Sequence, residues 1–537
     1  MKNGKRKSLL LAGLAVLVLF MACTSPSGKK AKGEEGKAYS SFVTTAGQRF
    51  IDSSGRQIIL HGINVINKDP GERYLCGIGE DVYRKLYRWG FNVVRLGILW
   101  DGLEPESGVY DEEMFRCVDQ HLAWAAKYGV YVILDMHQDL YSVKYSDGAP
   151  EWATLDEGLL HQRGALWSDA YLLSPAIQRA FDNFWKNAPA PDGIGIQDHY
   201  AALWKKIAER YAGNPTVIGY DLMNEPFPGS QARQYVKAMV EAYGRWLATT
   251  TGKVLSEEEL IALWSSPEGK EKVFETLRDT SVYRQVLFSV KPLTRAFEEG
   301  PLHDFYTRVG KAIREVDTNH ILFLEHNYFC NPGVPSSLRI PLSGPGGTPD
   351  RKVAYAPHGY DLLVDTRSYG KASPERVTFL LGQIDRTGKR LNIPVLVGEW
   401  GAFHSKEKVF VDHTRLITSH FARTGTSETF WAYYEGIENY PFFRVLIHPY
   451  PMAVSGELQT YAFDIRERTF RVSWKENGNN APSLFFVPGI TTADAVEIEM
   501  IPEGEGFGFR FLEGGKGATL SVRPLEKEEK RELKINY

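Results

Sequence analysis

Two stretches of the sequence each place a glutamate directly after a run of strand-like apolar residues. Val217 to Pro226 reads VIGYDLMNEP and presents Glu225, and Pro394 to Trp400 reads PVLVGEW and presents Glu399. The apolar runs predict buried strands, and Pro226 ends the first because it has no N–H to donate. Two carboxylates at strand ends suit glycoside hydrolysis, in which one protonates the leaving oxygen and the other attacks the anomeric carbon or activates water.

Other side chains that could bind or orient a substrate fall at the same ends of further predicted strands. They are Arg95 in the second strand, His137 after the third, His358 and Tyr360 after the sixth, and Trp431 in the eighth. A single residue of this kind could simply be a buried polar side chain whose hydrogen bonds are made within the core. Several in register indicate a site, because catalytic residues of an α/β barrel lie at the carboxyl ends of its strands.

The elements that carry these residues alternate between buried strands and amphipathic helices. Strands are predicted at 61–65, 91–98, 130–136, 217–223, 321–324, 353–357, 395–398 and 429–433. Helices are predicted at 80–89, 112–128, 200–211, 303–316, 374–385 and 410–422. Eight strands in this order predict a closed (β/α)₈ TIM barrel. A doubly wound open sheet is the alternative, but it gives no reason for ionisable residues at so many strand ends.

The barrel is expected to span residues 41–450, with a short hairpin at 50–60 near its start. Two segments exceed ordinary βα loops: 140–197 is rich in aromatic residues, and 253–300 is helical in pattern with one apolar side. They either pack against the barrel wall or form a rim for the apolar part of a large substrate. Short strands split by turn residues follow from about residue 455, which predicts an antiparallel β-sandwich over 451–537.

Composition and charge set broader limits on the function. The chain has 537 residues, 43% of them apolar and 24% charged, which is ordinary for a globular protein with more than one domain. The net charge is −3 and no basic run follows the first residues, so a nucleic-acid partner is not expected. We expect a monomer.

The amino terminus has the pattern of an export signal. Basic residues precede an apolar run from Leu9 to Ala22, which is too short to span a bilayer but has the length of a signal-peptide core. The sequence LFMAC that ends at Cys23 resembles a bacterial lipobox, in which Cys23 would be lipidated. A plain secretory signal cleaved near Ala22 is the alternative. Residues 1–22 are therefore expected to be removed, with 23–40 as a flexible tether, giving an exported bacterial lipoprotein of the cell envelope, on its periplasmic or surface face.

Three cysteines remain beyond the lipobox, namely Cys76, Cys117 and Cys330. An oxidising compartment permits one disulfide and one leftover thiol, and the spacing does not say which two residues pair. No Cys/His spacing indicates a zinc site. Gly77-Ile78-Gly79 lacks the third glycine of a phosphate loop and predicts only a turn.

Taken together, the strand-end residues resemble a known family. Arg95, His137, Asn224-Glu225, His358-x-Tyr360, Glu399 and Trp431 match, in order and by strand, the residues shared by the family 5 glycoside hydrolases, over about residues 45–450. Within that family the chain is similar to the endoglycoceramidases, which cut the bond between a glycan and ceramide. This similarity is carried by HGINVINKDP (61–70), DMHQD (135–139), the region of Trp167, YDLMNEPFPG (220–229), APHGYD (356–361) and RVLIHPYPMAVSG (444–456).

The resemblance implies a retaining double displacement and a role for each residue. Glu225 would be the acid/base and Glu399 the nucleophile. Arg95 and Tyr360 would hydrogen-bond Glu399, and Asn224 would hold the sugar 2-hydroxyl. His137 and His358 would support the site, Trp431 would form the floor under the sugar ring, and Lys68, Asp139 and Trp167 would bind substrate. No metal or cofactor is expected, although Asp135, His137 and Asp139 alternate along one strand and could be interpreted as a metal cluster.

The expected activity is hydrolysis of the β-glycosidic bond between a glycan and a lipid aglycone, on glycolipid at a membrane that the enzyme reaches through its lipid anchor. Two alternatives within the family are an exo-β-glucosidase acting on steryl or ceramide glucosides and an endo-β-glucanase acting on polysaccharide. A third alternative, from another class, is a lipid-anchored glycan-binding protein with an inactive site.

Overall fold

The computed structural model describes residues 41–503, 506–525, 527 and 529–537, so the signal peptide, the tether and Cys23 lie outside the described residues. Its centre is an eight-stranded parallel sheet: β1 (His61–Val65), β2 (Val93–Leu99), β3 (Tyr131–His137), β4 (Val217–Asp221), β5 (Ile321–Leu324), β6 (Val353–Tyr355), β7 (Leu396–Val397) and β8 (Ser427–Phe430). Neighbours in sequence are neighbours in the sheet, and a parallel bridge from Tyr355 to Val395 joins the two edges. The predicted barrel is confirmed.

Helices follow most of the strands and cover the outside of the barrel. They are α1 (Asp81–Trp89), α2 (Glu112–Tyr128), α3 (Ile196–Tyr211), α4 (Pro301–Arg314), α5 (Pro374–Leu391) and α6 (Lys408–Thr424). The side chain of Asp111 caps α2, and Gly129 ends it with φ of 64°. The α5 helix runs six residues past the predicted end, Asp385 (391 minus 385), and stops where Asn392 adopts φ of 54°.

Both long segments contain helices. The first contains Asp169–Leu173 and Pro175–Trp185, and the second contains Glu257–Ser265, Pro267–Thr276, Thr280–Phe288 and Lys291–Glu299. Val273, Leu277 and Val286 of the second segment are buried in the main core. These segments therefore pack against the barrel, while other residues of the same helices remain available to line a cleft. The helix Ala232–Thr251 lies between the two segments in sequence and was not predicted.

Two antiparallel sheets form the predicted carboxyl-terminal sandwich. One has four strands, in the order Gly456–Asp464, Thr469–Glu476, Lys530–Asn536 and Glu497–Ile501. The other has seven, in the order Thr44–Ala46, Arg49–Ile51, Gln57–Ile58, Tyr450–Val454, Ser483–Pro488, Gly517–Val522 and Phe507–Phe511. The amino-terminal hairpin thus belongs to the second sheet, where Ile58 pairs with Ala453.

The cysteines pair in one of the ways that the sequence left open. Cys76 and Cys117 form a disulfide with Cα atoms 5.3 Å apart, which ties the turn after β1 to α2. Cys330 is a free, buried thiol. None of the helices in the described part of the chain combines the length and apolar character needed to cross a bilayer.

Candidate active site

A cleft of about 580 Å³ opens where the barrel strands end. Its lining includes nine of the eleven predicted site residues, namely Lys68, His137, Asp139, Trp167, Asn224, Glu225, Tyr360, Glu399 and Trp431. The other two, Arg95 and His358, are fully buried and contact the two glutamates from behind. The structure therefore brings all eleven residues into one site.

Glu225 and Glu399 face each other across a short gap. One carboxylate oxygen of Glu225, one of Glu399 and a ring nitrogen of His358 all lie within 4.8 Å of one another. His358 Nδ1 is 2.9 Å from Glu225 Oε1 and 3.4 Å from Glu399 Oε2. Retaining glycosidases hold their two carboxyls about 5–5.5 Å apart, whereas inverting ones leave about 6.5–9.5 Å for a water molecule. The gap fits the retaining geometry.

The Glu399 carboxylate is held at both oxygens. Arg95 Nη1 donates to Oε1 at 2.9 Å and the Tyr360 hydroxyl donates to Oε2 at 2.9 Å, so both predicted hydrogen bonds are present. Burial raises the pKa of Glu399 to about 7, although the charges of His358 and Arg95 oppose the rise. Glu399 is thus fixed in orientation and titrates near neutrality.

Arg95 is the centre of the buried charge network. Its Nε donates to Asp221 at 2.8 Å and its Nη2 donates to Glu325 at 2.7 Å. Nη2 also donates to Asn224 Oδ1 at 3.0 Å. A guanidinium offers five donors in a rigid plane, so this one side chain can orient the nucleophile and Asn224 together.

Glu225 is placed by contacts that were not predicted from the sequence. Its backbone has φ of 44°, a region that non-glycine residues rarely adopt, and its N–H donates to Glu325 Oε2 at 2.7 Å. Asn331 Nδ2 donates to Glu225 Oε1 at 2.6 Å. Glu325 directly follows β5 in the sequence ILFLEHN, and this strand-end position is the signal that could have revealed it.

Asn224 has one donor to spare for a substrate. Its Oδ1 accepts from Arg95, and its Nδ2 donates to the Gln138 carbonyl at 3.1 Å. An amide nitrogen carries two hydrogens, so the second can reach a sugar hydroxyl in the cleft that Asn224 lines.

His137 and Trp431 form a stacked pair on another wall of the cleft. Their ring centroids are 5.2 Å apart with planes at 10°. His137 Nδ1 hydrogen-bonds Asp135 Oδ2 at 2.8 Å, and its Nε2 has no hydrogen-bond partner among the residues that the structure describes. Burial and Lys68 oppose its protonation, yet the adjacent carboxylates raise the pKa of His137 to about 9. Trp431 lies just after β8 and not within it as predicted, because the strand ends at Phe430.

Lys68 lies between two carboxylates beside this pair. Its ammonium contacts Asp139, is 3.5 Å from Asp147 Oδ2 and lies 5.1 Å from the Trp431 ring centroid. Burial opposes ionisation of Asp139, but the positive charges of Lys68 and His137 lower its pKa to about 2. Together these groups offer charged donors and acceptors to sugar hydroxyls.

The same contacts bear on the alternative of a metal held by Asp135, His137 and Asp139. Asp135 pairs with Arg95 at 2.8 Å and with His137, whereas Asp139 pairs with Lys68. His137 lies between the two carboxylates, with Nε2 3.8 Å from Asp139, and each carboxylate has a further protein cation in Arg95 or Lys68. The negative charges of this group are therefore already paired within the protein, which favours sugar binding over metal binding.

Trp167 lies at the rim, where it is 46% exposed, and its Nε1 donates to Asp365 Oδ2 at 2.9 Å. The lining also includes four partly buried apolar side chains from both long segments and from the loop after β6, which together with Trp167 are called here the apolar rim: Leu166, Phe274, Leu362 and Val364. Polar residues such as Ser168, Asp169 and Lys270 line the same cleft. The cleft thus combines charged groups near the two glutamates with a set of apolar side chains.

Comparison with known proteins agrees with this arrangement. Residues 51–254 and 291–436 match the cellulase (glycosyl hydrolase family 5) profile, and residues 448–535 match the glycoside hydrolase family 5 C-terminal domain. Endoglycoceramidase I of Rhodococcus hoagii is 25% identical over 479 residues, which cover 84% of this chain and 81% of that protein. An endoglycoceramidase of Hydra vulgaris is 31% identical over 249 residues, which span 41% of this chain and about half (46%) of that protein.

Among solved structures, endo-glycoceramidase II from Rhodococcus sp. in complex with a cellobiose-like imidazole superposes with a TM-score of 0.67. It is 25% identical, and the match covers 90% of this chain and 98% of that one. The family profile alone spans more than half of the present sequence, including both strand-end glutamates. The chain therefore belongs to glycosyl hydrolase family 5 and is a glycosidase.

Proposed function

We propose that this enzyme is a retaining β-glycosidase that cleaves the bond between a glycan and a lipid aglycone such as ceramide. The observation that carries the proposal is the composition of the cleft, in which paired carboxylates and charged sugar-binding groups adjoin an apolar rim. The relatives named endoglycoceramidase support the same substrate class.

In the first step Glu399 attacks the anomeric carbon while Glu225 donates its proton to the glycosidic oxygen. The bond from the anomeric carbon to that oxygen breaks, the lipid alcohol leaves, and a glycosyl ester forms on Glu399. Arg95 and Tyr360 hold Glu399 in line for the attack. Asn224 supplies its free N–H to the 2-hydroxyl, a contact that strengthens in the transition state.

In the second step Glu225, now a carboxylate, takes a proton from water as the water oxygen attacks the same carbon. The ester bond to Glu399 breaks, and two inversions return the original anomeric configuration. The Trp431 ring, held against His137, supplies a flat apolar surface under the sugar during both steps.

The substrate class can be tested with glucosylceramide, a ganglioside and carboxymethylcellulose. We expect release of an intact oligosaccharide from the ganglioside. Release of sugar only from the polymer would make the protein an endo-β-glucanase, and release of glucose only from monosaccharide lipids would make it an exo-β-glucosidase. If the wild type and Glu225→Gln bind glycan equally and neither turns over any substrate, the protein is a glycan-binding protein.

The apolar rim gives a second prediction, for Phe274→Asp. Burying a phenylalanine against an apolar partner is worth about 1.5–3 kcal/mol, so we expect KM for a glycolipid to rise roughly 10- to 100-fold. Hydrolysis of a soluble aryl glycoside, which has no lipid chain, should stay within about twofold. Leu160→Asp is the matched control, because Leu160 is 78% exposed and does not line the cleft. Equal effects of Phe274→Asp on both substrates would refute a lipid-binding role for the rim.

The pH profile follows from Glu399, whose pKa is raised to about 7 by burial. The nucleophile must be ionised, so kcat/KM should fall about tenfold per pH unit below an acid limb centred near pH 7. Tyr360→Phe removes a donor that stabilises the ionised form, so its acid limb should move to higher pH. An acid limb near the ordinary glutamate pKa in both proteins would contradict this assignment.

We further propose that the protein is an exported lipoprotein, acylated at Cys23, and that it acts as a monomer at the cell envelope. The sequence LFMAC and the apolar run before it support this. Labelling cells with a radioactive fatty acid should mark the wild type and not Cys23→Ala, and only the wild type should partition into detergent. Label on both proteins would refute acylation at Cys23, and light scattering of the purified enzyme tests the monomer.

A further inference from the structure

A chain of three hydrogen bonds runs from β6 to the acid/base. The Tyr355 hydroxyl is 2.7 Å from His326 Nδ1, His326 Nε2 is 3.0 Å from Asn331 Oδ1, and Asn331 Nδ2 is 2.6 Å from Glu225 Oε1. All four side chains are buried. Tyr355, His326 and Asn331 were not among the residues predicted for the site.

The donors along this chain can be assigned. Burial and the charge of His358 lower the pKa of His326 to about 3, so its ring is neutral and carries one N–H. Asn331 Oδ1 can only accept, so the hydrogen of the ring is on Nε2 and donates to Oδ1, and Nδ1 accepts from the Tyr355 hydroxyl. The Asn331 amide then has its nitrogen toward Glu225 and donates to that carboxyl.

Glu225 Oε1 consequently accepts two N–H groups, from Asn331 and from His358 at 2.9 Å. Protonation of an oxygen that already accepts two hydrogen bonds is unfavourable, so the acidic proton of Glu225 must be on Oε2. The two donors also stabilise the carboxylate that the second step requires.

The loop that carries Asn331 is held from two further directions. The Asn331 carbonyl accepts from the Tyr360 N–H at 3.2 Å, and the Tyr360 hydroxyl in turn contacts Glu399. The buried Glu298 carboxylate accepts from the Asn327 N–H at 3.0 Å and from the Ser336 hydroxyl at 3.0 Å, one on each side of Asn331 in sequence. Preorganised supports of this kind keep a catalytic group within a fraction of an ångström of its working position.

We propose that Asn331 is the positioning residue of the acid/base: oriented by His326 and Tyr355, it holds Glu225 Oε1 so that Oε2 carries the catalytic proton. This inference rests on the proposed roles of Glu225 and Glu399. Asn331 makes no contact with the reacting sugar in this role, so its replacement should affect only the steps that need proton transfer.

The test measures kcat/KM against pH for Asn331→Ala and the nearly isosteric Asn331→Asp, on an alkyl glycoside and on a dinitrophenyl glycoside. The alkyl leaving group needs a proton from Glu225, so the loss of its positioning in Asn331→Ala should lower kcat/KM at neutral pH about tenfold. The same variant removes a donor that stabilises the Glu225 carboxylate, so the alkaline limb should move up about one pH unit. Asn331→Asp should shift the limb further because it adds a like charge. The dinitrophenyl group leaves without an acid, so its kcat/KM should change less than about threefold.

Two further variants keep the test decisive. Tyr355→Phe breaks the far end of the chain and should move the alkaline limb in the same direction by a smaller amount. Asn319→Ala is the control, because Asn319 precedes β5, its amide donates to the Ala212 carbonyl at 3.3 Å and it does not line the cleft. Its pH profile should match the wild type.

An unmoved alkaline limb in Asn331→Ala with a higher KM would make Asn331 a substrate ligand and overturn the inference. Equal losses on the alkyl and dinitrophenyl glycosides would mean general damage and would also overturn it. A failure of the proposed function would look different. If Glu225 were not the acid/base, Glu225→Gln would hydrolyse both glycosides as well as the wild type does, independently of the result for Asn331.

Discussion

Replacing Glu399 with glutamine is expected to lower kcat/KM at least ~10⁴-fold on every glycoside, including those with activated leaving groups. The amide cannot attack the anomeric carbon, so no glycosyl ester forms. Glutamine has almost the same shape, and Tyr360 and Arg95 remain in place, so the fold should be retained. The measurement is intact-protein mass after incubation with a 2-deoxy-2-fluoro glycoside that carries a good leaving group, which should add one sugar to the wild type.

Glu225→Gln is the informative comparison for this experiment. It removes the acid but leaves the nucleophile, so it should still gain the sugar from an activated glycoside and should fail on an alkyl glycoside. The two variants therefore separate the two roles with one reagent. A sugar adduct on Glu399→Gln would contradict the assignment of the nucleophile, and an adduct that mapped to Glu225 in the wild type would exchange the roles.

Replacing Arg95 with methionine is expected to lower the free energy of unfolding by about 3–5 kcal/mol. Arg95 is fully buried and contacts Asp221, Glu325 and Glu399 at 2.7–2.9 Å. Removing one partner of a buried ion pair leaves charge without compensation in a medium of low polarity, and this costs more than the pair contributes when intact. Urea unfolding followed by tryptophan fluorescence measures the loss.

Arg245→Met provides the control, because the Arg245 side chain is 63% exposed and its partner Glu241 is 3.7 Å away on the same helix. A surface pair of this kind contributes about 0–1 kcal/mol, so its unfolding midpoint should barely move. If both variants lowered the free energy of unfolding by a similarly small amount, the prediction would be wrong. The buried carboxylates around Arg95 would then be neutralised by protonation or by rearrangement when Arg95 is absent.

Much of the site could be predicted because its residues sit at the ends of strongly apolar strands. Glu225 and Glu399 follow runs that only a buried strand explains, and the parallel barrel then brings their ends together. Glu325 was overlooked although it follows β5 directly, as Glu399 follows its own apolar run. Asn331 was missed for a different reason: it contacts Glu225 from 106 positions away, and that contact depends on loop conformation, which local sequence patterns do not specify.

Errors in the elements have similar physical causes. The helix Ala232–Thr251 was missed although Tyr235, Met239, Tyr243 and Trp246 recur at helical spacing, because no side chain caps its amino end to mark where it starts. The strand Lys530–Asn536 was missed because four of the seven residues in KRELKIN are charged, and one of its three inward positions is Arg531 beside Leu533 and Ile535. Its place in the middle of the four-stranded sheet depends on pairing with residues 469–475 and 497–501.

The pairing of Ile58 with Ala453 has a consequence for biosynthesis. The two residues are 395 positions apart (453 minus 58), so a ribosome adding roughly 5–20 residues per second completes the partner strand about 20–80 s after the hairpin emerges. During that time the Gln57–Ile58 edge lacks its final neighbour, and the barrel strands are made in between. The seven-stranded sheet can form this pairing only after synthesis has passed residue 453. A truncation before residue 450 would therefore expose this edge to aggregation and would not yield a free-standing catalytic barrel.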